Sequence, residues 1–311
     1  MSIREQILKS LGMVTFLKPS VKHIDIGNKE INKVFGNKQG IPSGKLFELA
    51  GLEHAGKTLW CIILAILAQL QHKAFVVWID LEGTWDDDWA LKLGMDLSKY
   101  RFYLIRPTVV KWVKSDKGGS KKAKSRKAGN VFLQSIEWSY REAEAVMGWF
   151  KEKYPDRPIF LVTDSVANMQ TEVQANAGAT DQNMSTQQAR AAFLSMYLPK
   201  MAQLASNYDG WFWFINQIRT NPAKAFGNPE YTPGGKALAH NAHSRIWLRK
   251  LKGGQLIVNG VVRGIKGKAV NIKNKVGGGS EAYLKYGFQI AWDKPLNEAM
   301  KFMDIKKAEK D

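Results

Sequence analysis

The chain has 311 residues, 45% of them apolar, and carries 46 Lys and Arg against 28 Asp and Glu, a formal net charge of +18. That apolar content excludes a disordered chain and allows one large α/β domain with a core that needs no staples. Cys61 is the single cysteine, which excludes an intrachain disulfide and a cysteine-built zinc or iron–sulfur site.

The first twelve residues are amphipathic, with no signal-like apolar stretch, and predict a helix over Ile3–Leu11. Short β-rich runs predict strands at Lys45–Ala50, Phe75–Asp80, Phe102–Ile105, Ile159–Thr163 and Trp211–Asn216. Helical patterns fall between them at Thr58–Gln71, Asp87–Leu93, Leu133–Lys153 and Thr186–Ser206. This alternation predicts a mostly parallel twisted sheet flanked by helices on both faces. From Ile246 to Ile290 the pattern changes to β-branched residues broken by Gly253-Gly254, Asn259-Gly260 and Gly277–Gly279, which predicts an antiparallel extension built of hairpins. Val113–Asn130, Gln174–Ser185 and Thr220–Gly235 read as loops, and the Lys-rich tail from Lys301 onwards as frayed. The longest apolar run, Leu59 to Ala68, is about half of the roughly 20 residues that a membrane span requires, so no membrane partner and a cytoplasmic setting are expected.

Two stretches supply 16 of the 18 excess positive charges. Residues 111–127 hold eight cations against Asp116, and Arg245–Lys275 holds nine cations and no acid. Such blocks favour a polyanion, because each neutralised phosphate releases condensed counterions. A solvated surface accounts equally well for the first, Gly- and Ser-containing block. Trp60, Trp78, Trp213 and Trp247 lie in apolar elements and are expected in the core, and Met184, Met196 and Met201 fit helix packing.

Directly after the first long strand come Gly51, Leu52, Glu53, His54, Ala55, Gly56, Lys57 and Thr58, which fit the phosphate-binding pattern G-x-x-x-x-G-K-[ST] between a strand and a helix. The glycines let backbone N–H groups curl around an anion, and the following helix points its positive end at the same place. Lys57 then serves the terminal phosphates and Thr58 a Mg²⁺ ion. His54 occupies a variable position of the pattern and is not expected to be catalytic. A second metal-orienting carboxylate is expected at the end of a neighbouring strand, where Asp164 follows Ile159–Thr163. Glu82, just past Phe75–Asp80, is assigned as general base for the attacking water; Asp80 in that role, or both acids as mere caps, stay open on sequence alone.

The set Gly51–Thr58, Ile79–Glu82, Ala90–Asp96, Asp164–Ala167, Phe214–Arg219, Phe226–Glu230, Gly234-Gly235 and Lys273–Lys275 resembles the RecA recombinase family, as a bacteriophage or otherwise divergent member. The resemblance covers roughly residues 25–290 and implies a RecA-type ATPase core. It implies ATP and Mg²⁺ as cofactors, a helical homo-oligomeric filament on single-stranded DNA with ATP at its subunit interfaces, pairing with homologous duplex DNA, and strand exchange with DNA-dependent ATP hydrolysis. A single-strand-binding protein and a loading mediator are further implied partners, in a bacterial host cytoplasm if the gene is phage-borne. Carried over by residue, it makes Lys57 and Thr58 phosphate and Mg²⁺ contacts, Asp164 the metal-orienting acid, Glu82 the base, and Asp86 and Trp89 the holders of adenine. Gln217 becomes the γ-phosphate sensor, and Lys273 and Lys275 the pair that reaches a neighbouring subunit's ATP. Arg190, Arg219, Lys224, Phe226, Asn228, Gly234 and Gly235 become DNA contacts on or beside the two DNA-binding loops.

Departures from the family pattern are also legible. Pro222 stands where bulky aliphatic wedges are usual, and Val113–Asn130 reads as an insertion. Because the sequence runs only a short way past Trp292, the insertion is expected to supply a duplex-DNA site in place of the family's full carboxyl-terminal domain. The expected organisation is an assembly arm over 1–35, the ATPase core over 36–290 with its basic insertion 113–130, and a short tail over 291–311. A hexameric helicase of the same ATPase lineage and a non-catalytic DNA-coating protein are the competing classes.

Overall fold

The computed structural model describes residues 21–106, 109–111, 131–133, 135–176, 184–223, 227–276 and 283–304. In chain order, His23–Ile24 (β1) pairs antiparallel with Ile41–Pro42 (β2) around a short helix, Lys29–Phe35 (α1). Lys45–Gly51 (β3), Lys57–His72 (α2), Phe75–Asp80 (β4), Asp87–Leu93 (α3) and Phe102–Ile105 (β5) follow. Next come the antiparallel pair Val109–Lys111 (β6) and Val131–Leu133 (β7), then Ile136–Lys153 (α4) and Ile159–Asp164 (β8). The helices Glu172–Asn176 (α5) and Met184–Asn207 (α6) lead to Trp211–Gln217 (β9), and Arg219–Thr220 (β10) pairs with Glu230–Tyr231 (β11). Lys236–Asn241 (α7), Ser244–Val258 (β12), Val261–Asn274 (β13), Lys285–Ala291 (β14), Leu296–Ala299 (α8) and Met300–Met303 (β15) complete the order.

One sheet of nine strands organises the molecule, in the order β15-β14-β13-β12-β3-β9-β8-β4-β5. The six strands from β12 to β5 run parallel, and β13, β14 and β15 extend the sheet antiparallel, as the two sequence patterns require. Side chains alternate across the pleat and both faces are covered, which explains why the central strands are mostly apolar. Phe47, Leu49, Val76, Trp78, Trp211 and Trp213 pack on one face against Leu59–Ala68 of α2, whereas Leu46, Phe75, Val77, Leu161, Phe212 and Phe214 pack on the other against α4 and α6. Trp60, Trp78 and Trp213 are fully buried and Trp247 nearly so.

Several expectations need correction. The helix predicted from Leu133 starts at Ile136, because Val131–Leu133 pairs with Val109–Lys111 and Ser135 turns the chain into the helix. Gln174 is not in a loop: Thr171 and Gln174 bond reciprocally through side chains and backbone N–H groups and so open α5. The chain from Lys301 is not frayed as far as Met303, since β15 pairs with β14 and Met300 and Phe302 pack against the core. Met196 is 82% exposed and takes no part in helix packing, unlike the buried Met201. Residues 21–35 of the expected assembly arm lie on their own chain: α1 buries Ile31, Val34 and Phe35, and Phe35 stacks on Trp60 at 4.7 Å. Ile3–Leu11, the insertion 113–130 and the side chains of Met184, Lys224 and Phe226 lie outside what is described. Asn259 and Gly260 form the predicted hairpin turn, both with positive φ, and Gly253-Gly254 marks a register shift inside β12 rather than its end.

Candidate functional site

At the carboxyl edge of the parallel strands four chain segments converge. Gly51 of β3 lies in register with Gln217 of β9, and Asp80 of β4 with Asp164 of β8. The loop Gly51–Thr58 leaves β3 here and enters α2 through Gly56, which sits in the left-handed region at φ 84° and caps the helix without a side-chain hydrogen bond. A Cβ on Gly56 would meet Ile265 Cδ1 at 2.2 Å, and one on Gly51 would meet the Leu248 carbonyl at 2.9 Å. Only glycine fits either place, and the helix start keeps its first N–H groups open to an anion.

Side chains complete the cradle. The Lys57 ammonium donates to the Leu52 carbonyl at 2.9 Å, folded back over its own loop. Burial lowers its pKa below the ordinary lysine value, against the opposing pull of Asp164, Glu82 and Glu53. The Thr58 hydroxyl donates to Asp164 Oδ2 at 2.8 Å, joining the two residues expected to serve the metal. Burial, chiefly, with Glu82 and Asp80 adding to it, pushes Asp164 up to about 7. Leu52, Glu53 and His54 are exposed at the crest of the loop, and Ala55 is buried beneath it.

The two acids of the β4 edge separate clearly. Asp80 is buried and accepts from the backbone N–H groups of Gly83, Thr84 and Trp85, with Arg106 Nε at 3.3 Å. It is a cap that shapes the turn and has no free lone pair aimed at the site. Glu82 is exposed and accepts from the Ser165 hydroxyl at 2.5 Å, which holds it beside the end of β8. Asp86 and Trp89 sit on α3: the Asp86 carboxylate caps the helix by accepting from Trp89 N, and the Trp89 indole N–H donates to the Trp292 carbonyl at 3.1 Å. Ser165 and Arg106 were not singled out from sequence; Ser165 follows the acidic end of β8, whereas Arg106 follows the apolar β5 and has no local signal.

Beyond Gln217 the chain turns outward. Its backbone N–H is accepted by Asn216 Oδ1, and Ile218 N–H donates to the Gly51 carbonyl at 3.2 Å, so the root of the second loop is tied to the phosphate-binding loop. Arg219 is exposed at that root; Arg190, half-buried on α6, donates to the Ala167 carbonyl at 2.8 Å, and burial and Arg219 both lower its pKa. Asn228 is exposed and accepts from Glu230 N–H. Gly234 and Gly235, both at positive φ, let the returning chain press on Leu194, Val166 and Ala191. A cavity of about 430 Å³ opens along this return, lined among others by Thr232, Lys236, Arg245 and Trp247. Lys273 donates to the Ala239 and His240 carbonyls at the end of α7, and its pKa falls to about 8 through burial and the nearby Lys275 and Arg245. Lys275 is exposed at the end of β13. Among the described residues no group of three or more His, Cys, Asp or Glu side chains could hold a metal, and no helix is long and apolar enough to cross a membrane.

The family model for the RecA N-terminal domain matches residues 4–107 and 158–295. The chain belongs to the RecA family. The nine-stranded mixed sheet with its flanking helices is accordingly a RecA-type α/β core. Protein RecA of Ureaplasma parvum serovar 3 is 32% identical over 260 residues, which cover 82% of this chain and 64% of that protein. Protein RecA of Thermus aquaticus is 27% identical over 267 residues, or 86% and 66% of the two chains. The mitochondrial DNA repair protein recA homolog of Dictyostelium discoideum is 25% identical over 320 residues, covering 99% of this chain and 60% of its own. The chain thus spans about two thirds or less of the length of these RecA relatives. The RecA model leaves residues 108–157 unmatched, a segment that contains the Lys-rich stretch 113–130.

Proposed function

We propose that this chain is an ATP-gated DNA-pairing protein: it assembles as a filament on single-stranded DNA, pairs it with homologous duplex and promotes strand exchange while hydrolysing ATP. The observation that carries this reading is the tie between Gly51 and Gln217, which joins a phosphate-binding loop to the root of a loop flanked by Arg190 and Arg219. RecA family proteins use ATP and Mg²⁺, and the residues here fit both. The glycine cradle has no room for a Cβ, no side chain caps the start of α2, and a hydroxyl and a carboxylate already face each other.

In this reading Lys57 and the N–H groups at the start of α2 bind the phosphates, and Thr58 and Asp164 hold Mg²⁺, which supplies positive charge to the phosphate oxygens. Glu82 takes the proton of the attacking water, so that ATP and water give ADP and phosphate, and Ser165 orients its carboxylate. Asp86 and Trp89 border the base, and Gln217 senses the terminal phosphate. Lys273 and Lys275 serve a neighbouring subunit's nucleotide, while Arg219, Asn228 and the Gly234-Gly235 return, with Lys224 and Phe226 between them, track the DNA backbone. The insertion 113–130 supplies a duplex-DNA contact. The organisation that goes with this reading is an assembly arm amino-terminal to residue 21, the core to 290 and a tail beyond it.

ATP turnover measured with and without single-stranded DNA tests the reading, since a DNA-coating protein would turn over no ATP. A forked duplex without a homologous strand gives no unwinding if the helicase class is wrong. Lys57→Ala should abolish nucleotide-dependent filaments, and Glu82→Gln should bind ATP and stay on DNA; rapid dissociation of Glu82→Gln in ATP, or turnover that ignores DNA, refutes the proposal.

A further inference from the structure

A lone acid lies inside the apolar strand β3. Glu48 is fully buried, three residues before the phosphate-binding loop, and is flanked in register by Phe214 of β9 and Arg245 of β12. Both of its oxygens are engaged: Arg245 Nε bonds to Oε2, and Asn216 Nδ2 donates to Oε1 at 2.9 Å. The same two partners reach onward. Asn216, also fully buried, donates to the Pro233 carbonyl at 2.9 Å and accepts from the Gln217 N–H at 3.0 Å, and Arg245 donates to Thr232 Oγ1 at 3.1 Å. Thr232 and Pro233 form the far root of the second loop, just before the Gly234-Gly235 return.

An ion pair buried in a sheet is a poor device for stability, because desolvation cancels much of its attraction and apolar residues of like volume do as well. Its geometry is nevertheless strict, since every donor and acceptor must be satisfied at once. We propose that Asn216, held by the Glu48–Arg245 pair, is a positioning residue that couples the nucleotide edge of the sheet to the far root of the second loop. This rests on the nucleotide-gated reading above and deepens it. Gln217 reports to the near root through the chain itself, whereas Asn216 carries any displacement of Gln217 sideways, through one amide, to Pro233 and, through the ion pair, to Thr232. Both ends of the loop then move together.

The test is the ratio of single-strand affinities in ATPγS and in ADP, read by fluorescence anisotropy of a labelled oligonucleotide. In Asn216→Ala the ratio should fall about tenfold, equivalent to about 1.4 kcal/mol of coupling. Nucleotide affinity and the ADP-state DNA affinity should stay within about twofold, whereas a merely structural role would lower both DNA affinities together and leave the ratio unchanged. Thr232→Val should lower the ratio less, in the same direction, and Thr232→Ser, which keeps the hydroxyl, should restore it. A folded Asn216→Ala with the wild-type ratio overturns the proposal. If Asn216→Ala proves unfolded by circular dichroism, the Thr232 pair decides: equal ratios in Val and Ser overturn it. A wild-type ratio of one overturns the gated reading and the relay with it, while a large wild-type ratio shared by all variants overturns the relay alone.

Discussion

Asp164→Asn sets stability against function at one atom. In the folded chain burial holds the Asp164 carboxyl near pKa 7, against 3.8 for an ordinary aspartate. Each tenfold in proton affinity is worth about 1.4 kcal/mol, so the ionised group costs the fold at most about 4 kcal/mol at pH 8. Because the folded pKa is raised, the stabilisation is whole below pH 3.8, fades as pH rises, and is gone above about 7. Asparagine carries no such proton, and its oxygen can still accept from the Thr58 hydroxyl. Thermal unfolding without Mg²⁺ or nucleotide, scanned from pH 5 to 8.5, should show the variant gaining on the wild type as pH rises. At pH 8 the difference in Tm should be on the order of 5–10 °C. The same substitution should abolish Mg²⁺-dependent turnover, the trade expected where a site keeps a costly charge for its chemistry. A Tm difference that is equal at pH 5 and pH 8 would refute the reasoning.

Three further outcomes are expected. Gly56→Ala must hold an alanine at φ 84°, a strain of about 1–2 kcal/mol, and crowd Ile265; nucleotide titration should show at least about tenfold weaker binding, and adding Ile265→Ala should recover part of the Tm but not the affinity. Lys273 loses its charge as pH passes about 8, so turnover by the assembled protein should fall between pH 7 and 9, and Lys273→Arg should flatten that profile; an unchanged profile in the variant assigns the fall elsewhere. Deleting residues 113–130 removes seven Lys and Arg, so duplex capture should weaken and the log–log salt slope should shallow by up to about 6; an unaltered slope removes the insertion from the duplex site.

The legible part of this fold was its periodicity. Strands buried on both faces appear as apolar runs, and the expected bounds match β3, β4, β8 and β9, as well as the edge strand β5, to within one residue. The phosphate-loop pattern and the acids at the ends of β4 and β8 stand out because glycine spacing and strand ends are local signals. What escaped depends on which groups the fold brings together. Leu133 reads as the start of a helix until Val109–Lys111 lies beside Val131–Leu133. Asp80 and Glu82 are interchangeable as letters, and only the N–H groups of Gly83, Thr84 and Trp85 make one a cap. Glu48 did leave a trace, since a single acid in Leu46–Ala50 demands buried partners, but nothing local names Asn216 and Arg245 as those partners.

The pairing of Val109–Lys111 with Val131–Leu133 also bears on how such a chain can vary. These two short strands form a sheet of their own, outside the nine-stranded ladder, whose outermost strand on that side ends at Ile105. Lengthening the sequence between two paired strands adds little closure entropy, about 0.6 kcal/mol for each doubling. A change in the size or charge of this stretch therefore leaves the nine-stranded ladder untouched, which makes this position a natural graft point.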